Sequence, residues 1–448
     1  MSSSVRILSR PVRLLAAAIV LELVLGLLTA AHGSDAAGPA AASVQPRPRP
    51  ALRLIRHRPV AMDRGTAVRQ LLTVRARAVQ QHDTRAFLAT VDPTATAFRQ
   101  RQARLVAALR AVPLASWSYD LDGAHSRGAH PALDRRYGIW WAPDVVLHYR
   151  LAGFDAAPTE QRQFLTFVQR GDRWYVAADD DFAKENRRTA RDLWDGGPVV
   201  VTRGASCLVL AHPGNATLVG TLVRETDAAV PRVTAIWGAG WAQQVVVLVP
   251  NTQDELARVV PDAGNLSQIA AVATAELTGA SRGYHPVGDR VLVNPATFGR
   301  LGPLGRRVVL THEVTHVASR RATGPQVPTW LVEGMADYVG YRDVDVPLAV
   351  SARELQADVR AGRLPAALPA DTEFNGSSSE LTQTYEQSWL AVVLLARTYG
   401  QDGLLRLYRE AGLGSTPGSF DRALASQLHT STAAFTAAWV ADLRRELG

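Results

Sequence analysis

Apolar side chains recur at helical spacing near the start of the foldable chain. Val68, Leu71, Leu72 and Val79, with Arg75 on the same stripe, predict a helix, and Phe87, Leu88 and Val91 continue the pattern after Asp83. Short β-rich runs follow at Trp117–Leu121, Val145–Tyr149, Phe164–Val168 and Trp174–Val176, the last two separated by the turn Gln169-Arg170-Gly171-Asp172. Helices first and antiparallel strands afterwards predict an α+β unit whose curved sheet closes over its helices. From about Gly196 a second unit opens with strand-like runs at Val199–Val201, Leu208–Leu210 and Val245–Val249, then turns mostly helical. No repeat period is visible, so the chain reads as α+β in two units, residues 64–190 and 196–448.

The residues before the first stripe have a different pattern. Arg6, Arg10 and Arg13 precede the apolar runs Leu14–Leu21 and Leu23–Ala31, broken by Glu22 and followed by small residues up to Ser34. That is the layout of a secretory signal over residues 1–33. As a membrane anchor the run is barely long enough, and Glu22 near its middle would be costly in lipid, so cleavage is favoured over anchoring. In either case the basic flank stays on the cytoplasmic side and the rest of the chain lies outside, secreted or tethered. Residues 34–63, which include Pro46-Arg47-Pro48-Arg49-Pro50, favour extended backbone and read as a Pro/Ala/Arg-rich linker. Membrane contact is expected through this N-terminal segment only.

Composition narrows the function classes. With 448 residues, 47% hydrophobic and 20% charged, the chain can bury two cores and is too apolar to be mostly disordered. The net charge of +8 suggests nucleic acid at first sight. Yet the sole lysine is Lys184 and the arginines are scattered rather than gathered into a basic patch with aromatics, so no nucleic-acid partner is expected. Cys207, the only cysteine, excludes an internal disulfide and a thiolate metal cluster, and its apolar neighbours suit a buried core thiol. In the first unit, His125, His130, His148 and the run Asp179-Asp180-Asp181 show no spacing that makes a ligand or acid–base set.

Chemistry concentrates in the second unit. In Leu310-Thr311-His312-Glu313-Val314-Thr315-His316, the two histidines are one helical turn apart and point the same way, with Glu313 beside them. A surface helix with an incidental histidine pair would share that spacing. Further on, Pro328 can open a helix that carries Glu333 and Asp337, again one turn apart. Two neighbouring helices can therefore offer His312, His316 and Glu333 to one point, the ligand set of a catalytic zinc with a free fourth position.

The His-Glu-x-x-His helix, followed by Glu333 within Trp330-Leu331-Val332-Glu333-Gly334-Met335-Ala336-Asp337-Tyr338, resembles the gluzincin metallopeptidases, the thermolysin-like superfamily, best over residues 290–341. The resemblance implies Zn2+ held by His312, His316 and Glu333, with Glu313 as catalytic base and Asp337 holding a ligand histidine by its distal N–H. The run Gln383-Thr384-Tyr385-Glu386-Gln387-Ser388-Trp389 resembles the family segment that supplies an oxyanion-stabilising tyrosine, which points to Tyr385, with Tyr338, Tyr341 and His285 as rivals. Family members bind extended peptides along an edge strand, for which Arg290–Asn294 is the matching segment, although its apolar character equally fits a buried strand. The gap from His316 to Glu333 is shorter than in large aminopeptidases, which shortens the connecting loop, and the absence of a visible acidic clamp for a free amine favours endopeptidase action. The first unit, ending in Arg170-Gly171-Asp172-Arg173-Trp174-Tyr175-Val176, resembles the cone-shaped nuclear transport factor two-like fold, a scaffold that implies architecture and no activity.

The expectation is an exported zinc peptidase acting on a peptide or protein substrate, with an accessory domain that binds substrate, a cell-envelope partner or the catalytic domain itself. Two rival readings use the same residues. One is an inactive peptidase-fold scaffold of the envelope, and the other is a zinc amidase acting on a non-protein amide.

Overall fold

The computed structural model describes residues 63–126, 130–260, 269–278, 285–374 and 378–448, without the side chains of 123–126, 277, 278 and 285. The expected signal segment, the linker as far as residue 62 and the side chains of His125 and His285 lie outside the described residues. Among the described residues no helix is long and apolar enough to cross a membrane.

Asp63 starts the first helix, Arg64–Gln80, by accepting the Thr66 amide, and Asp83 caps the next, Thr84–Ala89, in the same way at Ala86. A third helix, Thr96–Leu109, carries the buried polar Gln102 in its apolar stripe, where it accepts a hydrogen bond from buried Arg75. These helices pack against two small antiparallel sheets. One orders Leu114–Ser126, Pro143–Leu151 and Thr159–Gln163, and the other Trp140–Trp141, Thr166–Arg170 and Arg173–Ala178. The expected strands are all present, and the architecture is α+β throughout, with a helical C-terminal part.

The second unit is built on a five-stranded sheet in the spatial order Ala271–Thr278, His285–Val293, Val245–Val249, Cys207–Ala211 and Val200–Arg203. The placement of Arg290–Asn294 at an edge is overturned. Its strand is interior, parallel to Val245–Val249 on one side and antiparallel to Ala271–Thr278 on the other. Val291, Leu292 and Val293 are buried on both faces, the requirement of a central strand. The edge on this side of the sheet is Ala271–Thr278.

Alternation along these strands divides the core in two. Cys207, Val209, Val245, Val247, Val291, Val293 and Ala273 face the helices of the second unit. Leu208, Leu210, Val246, Leu248, Val272 and Leu292 face the other way, into a core completed by Phe87, Trp117, Tyr149 and Leu151 of the first unit and by Leu193 and Trp194 of the connection. The first unit therefore covers the back of the sheet. A buried bidentate ion pair reinforces the contact, as Arg290 donates to both Asp155 oxygens at 2.7 and 2.8 Å.

A second buried polar clasp lies at the junction. His212 faces the Pro198 carbonyl through Nδ1 at 2.7 Å and the Glu255 carboxylate through Nε2 at 2.6 Å. Both partners are acceptors, so both ring nitrogens donate and the imidazole is charged. The Glu255 contact raises the His212 pKa above its ordinary 6.5 against the opposing effect of burial. Burial pushes the Glu255 carboxyl up, but His212 and the Asn251 amide outweigh it and hold the group below 4.5.

Two outcomes follow from this packing. Burying one large apolar side chain contributes about 1.5–3 kcal/mol, so exposing six on the back face costs about 9–18 kcal/mol, as much as a typical stability margin of about 5–15 kcal/mol. Residues 196–448 expressed alone should aggregate and bind a hydrophobic dye, and a monomeric, cooperatively melting fragment would contradict the shared core. The stability lost in His212→Gln should be greatest between pH 4.5 and 6.5, where the clasp is fully charged. It should diminish as pH rises through the elevated His212 value, and equally as pH falls through the depressed Glu255 value. A difference in melting temperature that is independent of pH would exclude a charged His212.

Candidate metal centre

The helix Pro303–Ser319 starts with proline in its first turn and is buried almost all round from Val308 to His316. It is wedged between the helix Ala216–Trp237, the helix Thr329–Gly340 and the edge strand. Its mid-helix threonines are satisfied locally, since Thr311 donates to the Arg307 carbonyl and Thr315 to that of Thr311, both at 2.7 Å. His312, Glu313 and His316 can thus be buried without disrupting the helix.

The partner helix Thr329–Gly340 begins after Pro328, with Asp371 accepting the Thr329 amide at 2.9 Å. Its glycines let it come close. A Cβ on Gly334 would stand 2.3 Å from the Ser388 carbonyl oxygen, and one on Gly340 would stand 3.1 Å from that of Val308. Close approach of this helix to both neighbours is what carries Glu333 to the histidines.

The three expected ligands meet. His312 Nε2 and His316 Nε2 are 2.9 Å apart, and Glu333 Oε2 lies 3.4 and 3.3 Å from them. An ion with tetrahedral bonds of about 2.0–2.2 Å spaces its donors about 3.3–3.6 Å apart, close to this triangle. All three residues are at most 3% exposed, and Glu333 Oε2 has no hydrogen-bonding partner. The His312 Nδ1–H donates to Asp337 Oδ1 at 2.8 Å, which leaves the Nε2 lone pair directed at the triangle. His312, His316 and Glu333 form a buried cluster that could hold a metal ion.

Glu313 lies beside the triangle and outside it, fully buried, with neither carboxylate oxygen in a well-formed hydrogen bond. Burial raises its pKa to about 7, helped by the Glu333 charge and opposed by His312, the Ala273 amide of the edge strand and Arg320. Glu333 goes the other way. Burial raises it, but the His316 and His312 imidazoles outweigh burial and lower it to about 2. Two carboxyls on adjacent helices are thus separated into an anionic ligand and a group poised near neutrality.

Tyr385, from the helical run Leu381–Leu413 that breaks at Gly400, brings its ring to 6.5 Å from that of His312, and Phe374 packs edge-on against its other side. Its buried hydroxyl has no partner. Burial pushes its pKa up, and the nearby Glu333, Asp337 and Glu313 carboxylates push it further, so the hydroxyl keeps its proton. The rival tyrosines have other contacts. Tyr338 accepts from Arg342 at 2.6 Å near the surface, and Tyr341 packs at a tilt against Trp389 with ring centroids 4.6 Å apart.

Sequence reading passed over Arg320, which ends the histidine helix and donates from Nε to Asp289 Oδ1 at 2.6 Å. The signal was its position, seven residues after Glu313 and hence two turns along the same face. In the first unit His148 lies 3.1 Å from Asp120, and Asp179 pairs with Arg101 and Arg191, so these groups serve the surface and the local fold.

Comparison with protein-family models and with curated proteins finds no match for the chain.

Metal binding can be tested apart from any reaction. One divalent ion per chain is expected, with Glu333→Ala losing it and Asp337→Ala binding it about 10–100-fold more weakly in competition with a chelator. Affinity unchanged in Glu333→Ala would exclude this cluster as the site.

Proposed function

We propose that the protein is an exported zinc-dependent peptidase of the gluzincin type, with Glu313 as general base. The observation that carries this reading is the convergence of two imidazoles and one carboxylate on a single point, with a second buried carboxyl beside it that makes no well-formed hydrogen bond. Two imidazoles and one carboxylate suit zinc and leave room for a water. When bound, the ion supplies Lewis acidity towards a carbonyl oxygen and lowers the pKa of that water to about 7.

The protein's own groups supply the rest. Glu313 takes the proton of the attacking water and delivers it to the leaving amine, a task suited to a carboxyl poised near neutrality. Tyr385 keeps its hydroxyl proton and donates it as a hydrogen bond to the oxygen that gathers negative charge as the carbonyl is attacked. Asp337 fixes the ring orientation and tautomer of His312. The edge strand Ala271–Thr278, which packs on the histidine helix, takes the role first given to Arg290–Asn294 and receives an extended peptide by strand addition. Burying a carboxyl with no partner is costly, which supports retained catalysis over an inert scaffold. Residues 1–33 direct export.

Digestion of a mixed peptide library followed by mass spectrometry tests the proposal. Glu313→Gln should retain the metal and lose about 10²–10⁴ in turnover. Tyr385→Phe should lower kcat by about 10²–10³ with little change in metal content. Equal turnover in the parent and Glu313→Gln would remove Glu313 from the mechanism, and a zinc-loaded parent that cleaves no peptide would refute the peptidase reading.

A further inference from the structure

Arg320 is only 7% exposed, yet its guanidinium is incompletely paired. Nε donates to Asp289, while the buried Nη2 has no partner. Buried donors are nearly always satisfied, so an orphan beside a reactive centre calls for an acceptor that arrives from outside. Its place in the fold says which acceptor. Arg320 is two turns beyond Glu313 on one helix face, and its positive charge lowers the pKa of both Glu313 and His316. Asp289 belongs to the strand paired with the edge strand, at the point where the register slips between Thr274 and Glu276. The Asp289 contact therefore holds the guanidinium at the C-terminal end of the histidine helix, over the strand next to the edge strand and one strand in from the lane that an added peptide would follow.

The guanidinium is also pre-oriented. The neighbouring residue, Arg290, points to the opposite face of the sheet, where Asp155 grips it from both oxygens, and its Nη1 also donates to the Asp289 carbonyl at 2.8 Å. The first unit thus braces the strand segment that aims Arg320. A fixed, planar, charged donor is suited to carbonyl and carboxylate oxygens.

We propose that Arg320 is a substrate-binding residue whose unpartnered Nη2 donates to a main-chain carbonyl or terminal carboxylate oxygen of the peptide lying along Ala271–Thr278. The assignment rests on the peptidase reading above. It makes Arg320 a determinant of where the peptide sits, and it distinguishes an internal carbonyl from a chain end by experiment.

The test uses the full-length, zinc-loaded Glu313→Gln protein. Its ligand is the peptide cleaved fastest by the parent in the library digestion, synthesised with a free C-terminal carboxylate and as the C-terminal amide. Calorimetry compares this protein with the same protein carrying Arg320→Met. Affinity should fall about ten- to hundredfold at unchanged zinc stoichiometry. A loss on both peptides supports grip on an internal carbonyl, and a loss on the free acid alone supports grip on the terminal carboxylate. Arg320→Lys keeps a charge for Asp289 without the planar fork, serves if Arg320→Met does not fold, and should lose at least about tenfold. Unchanged affinity in either folded variant would reduce Arg320 to a clamp between helix and strand and overturn the proposal. If no library peptide is cleaved, or the Arg320-containing protein binds neither peptide, the peptidase reading itself fails and this assignment falls with it.

Discussion

Three metal-binding atoms buried at one point are the constraint on which the rest of the structure depends. The Nε2 atoms of His312 and His316 are 2.9 Å apart, with Glu333 Oε2 at 3.3–3.4 Å, and Asp337 already engages the one N–H that His312 can offer elsewhere. Lone pairs brought together in a dry interior repel unless a proton or a cation stands between them. A divalent ion resolves all three contacts at once. Glu313 and Tyr385 lie beside the cluster, buried and with no well-formed hydrogen bond of their own.

Such an arrangement needs rigid support, and the packing supplies it from both sides. Gly334 and Gly340 permit close approach of the Glu333 helix to its neighbours, where a side chain would force the helices apart. The histidine helix in turn rests on a sheet buried on both faces, with the first unit sealing the back. The accessory unit is therefore part of the scaffold that holds the centre. Through Arg290 and Asp155 it is tied to the strand whose next residue, Asp289, holds Arg320 at the end of the histidine helix.

Much of this was legible in the residues. The spacing of His312, His316, Glu333 and Asp337 follows helical geometry, so periodicity alone places each pair on one face. The strands at Trp117, Val145, Leu208 and Val245 are contiguous β-rich runs, and they appear where the pattern put them. Other features depend on distant parts of the chain meeting. The helix Thr96–Leu109 was missed because buried Gln102, paired with Arg75, interrupts its apolar stripe. The edge strand was misplaced because Val291-Leu292-Val293 and its neighbour Ala271-Val272-Ala273 are both apolar, and strand order is set by pairing across the sheet. Likewise no local pattern reveals that Leu208, Val246 and Leu292 are covered by Trp117 and Tyr149 of the other unit.

The most direct measurement is anomalous diffraction at the zinc absorption edge from crystals of the zinc-loaded protein. A single strong peak is expected about 2.0–2.2 Å from His312 Nε2, His316 Nε2 and a Glu333 carboxylate oxygen, with Glu313 outside bonding distance. No peak at this point, or a peak bound by other residues, would contradict the metal centre and every catalytic role built on it.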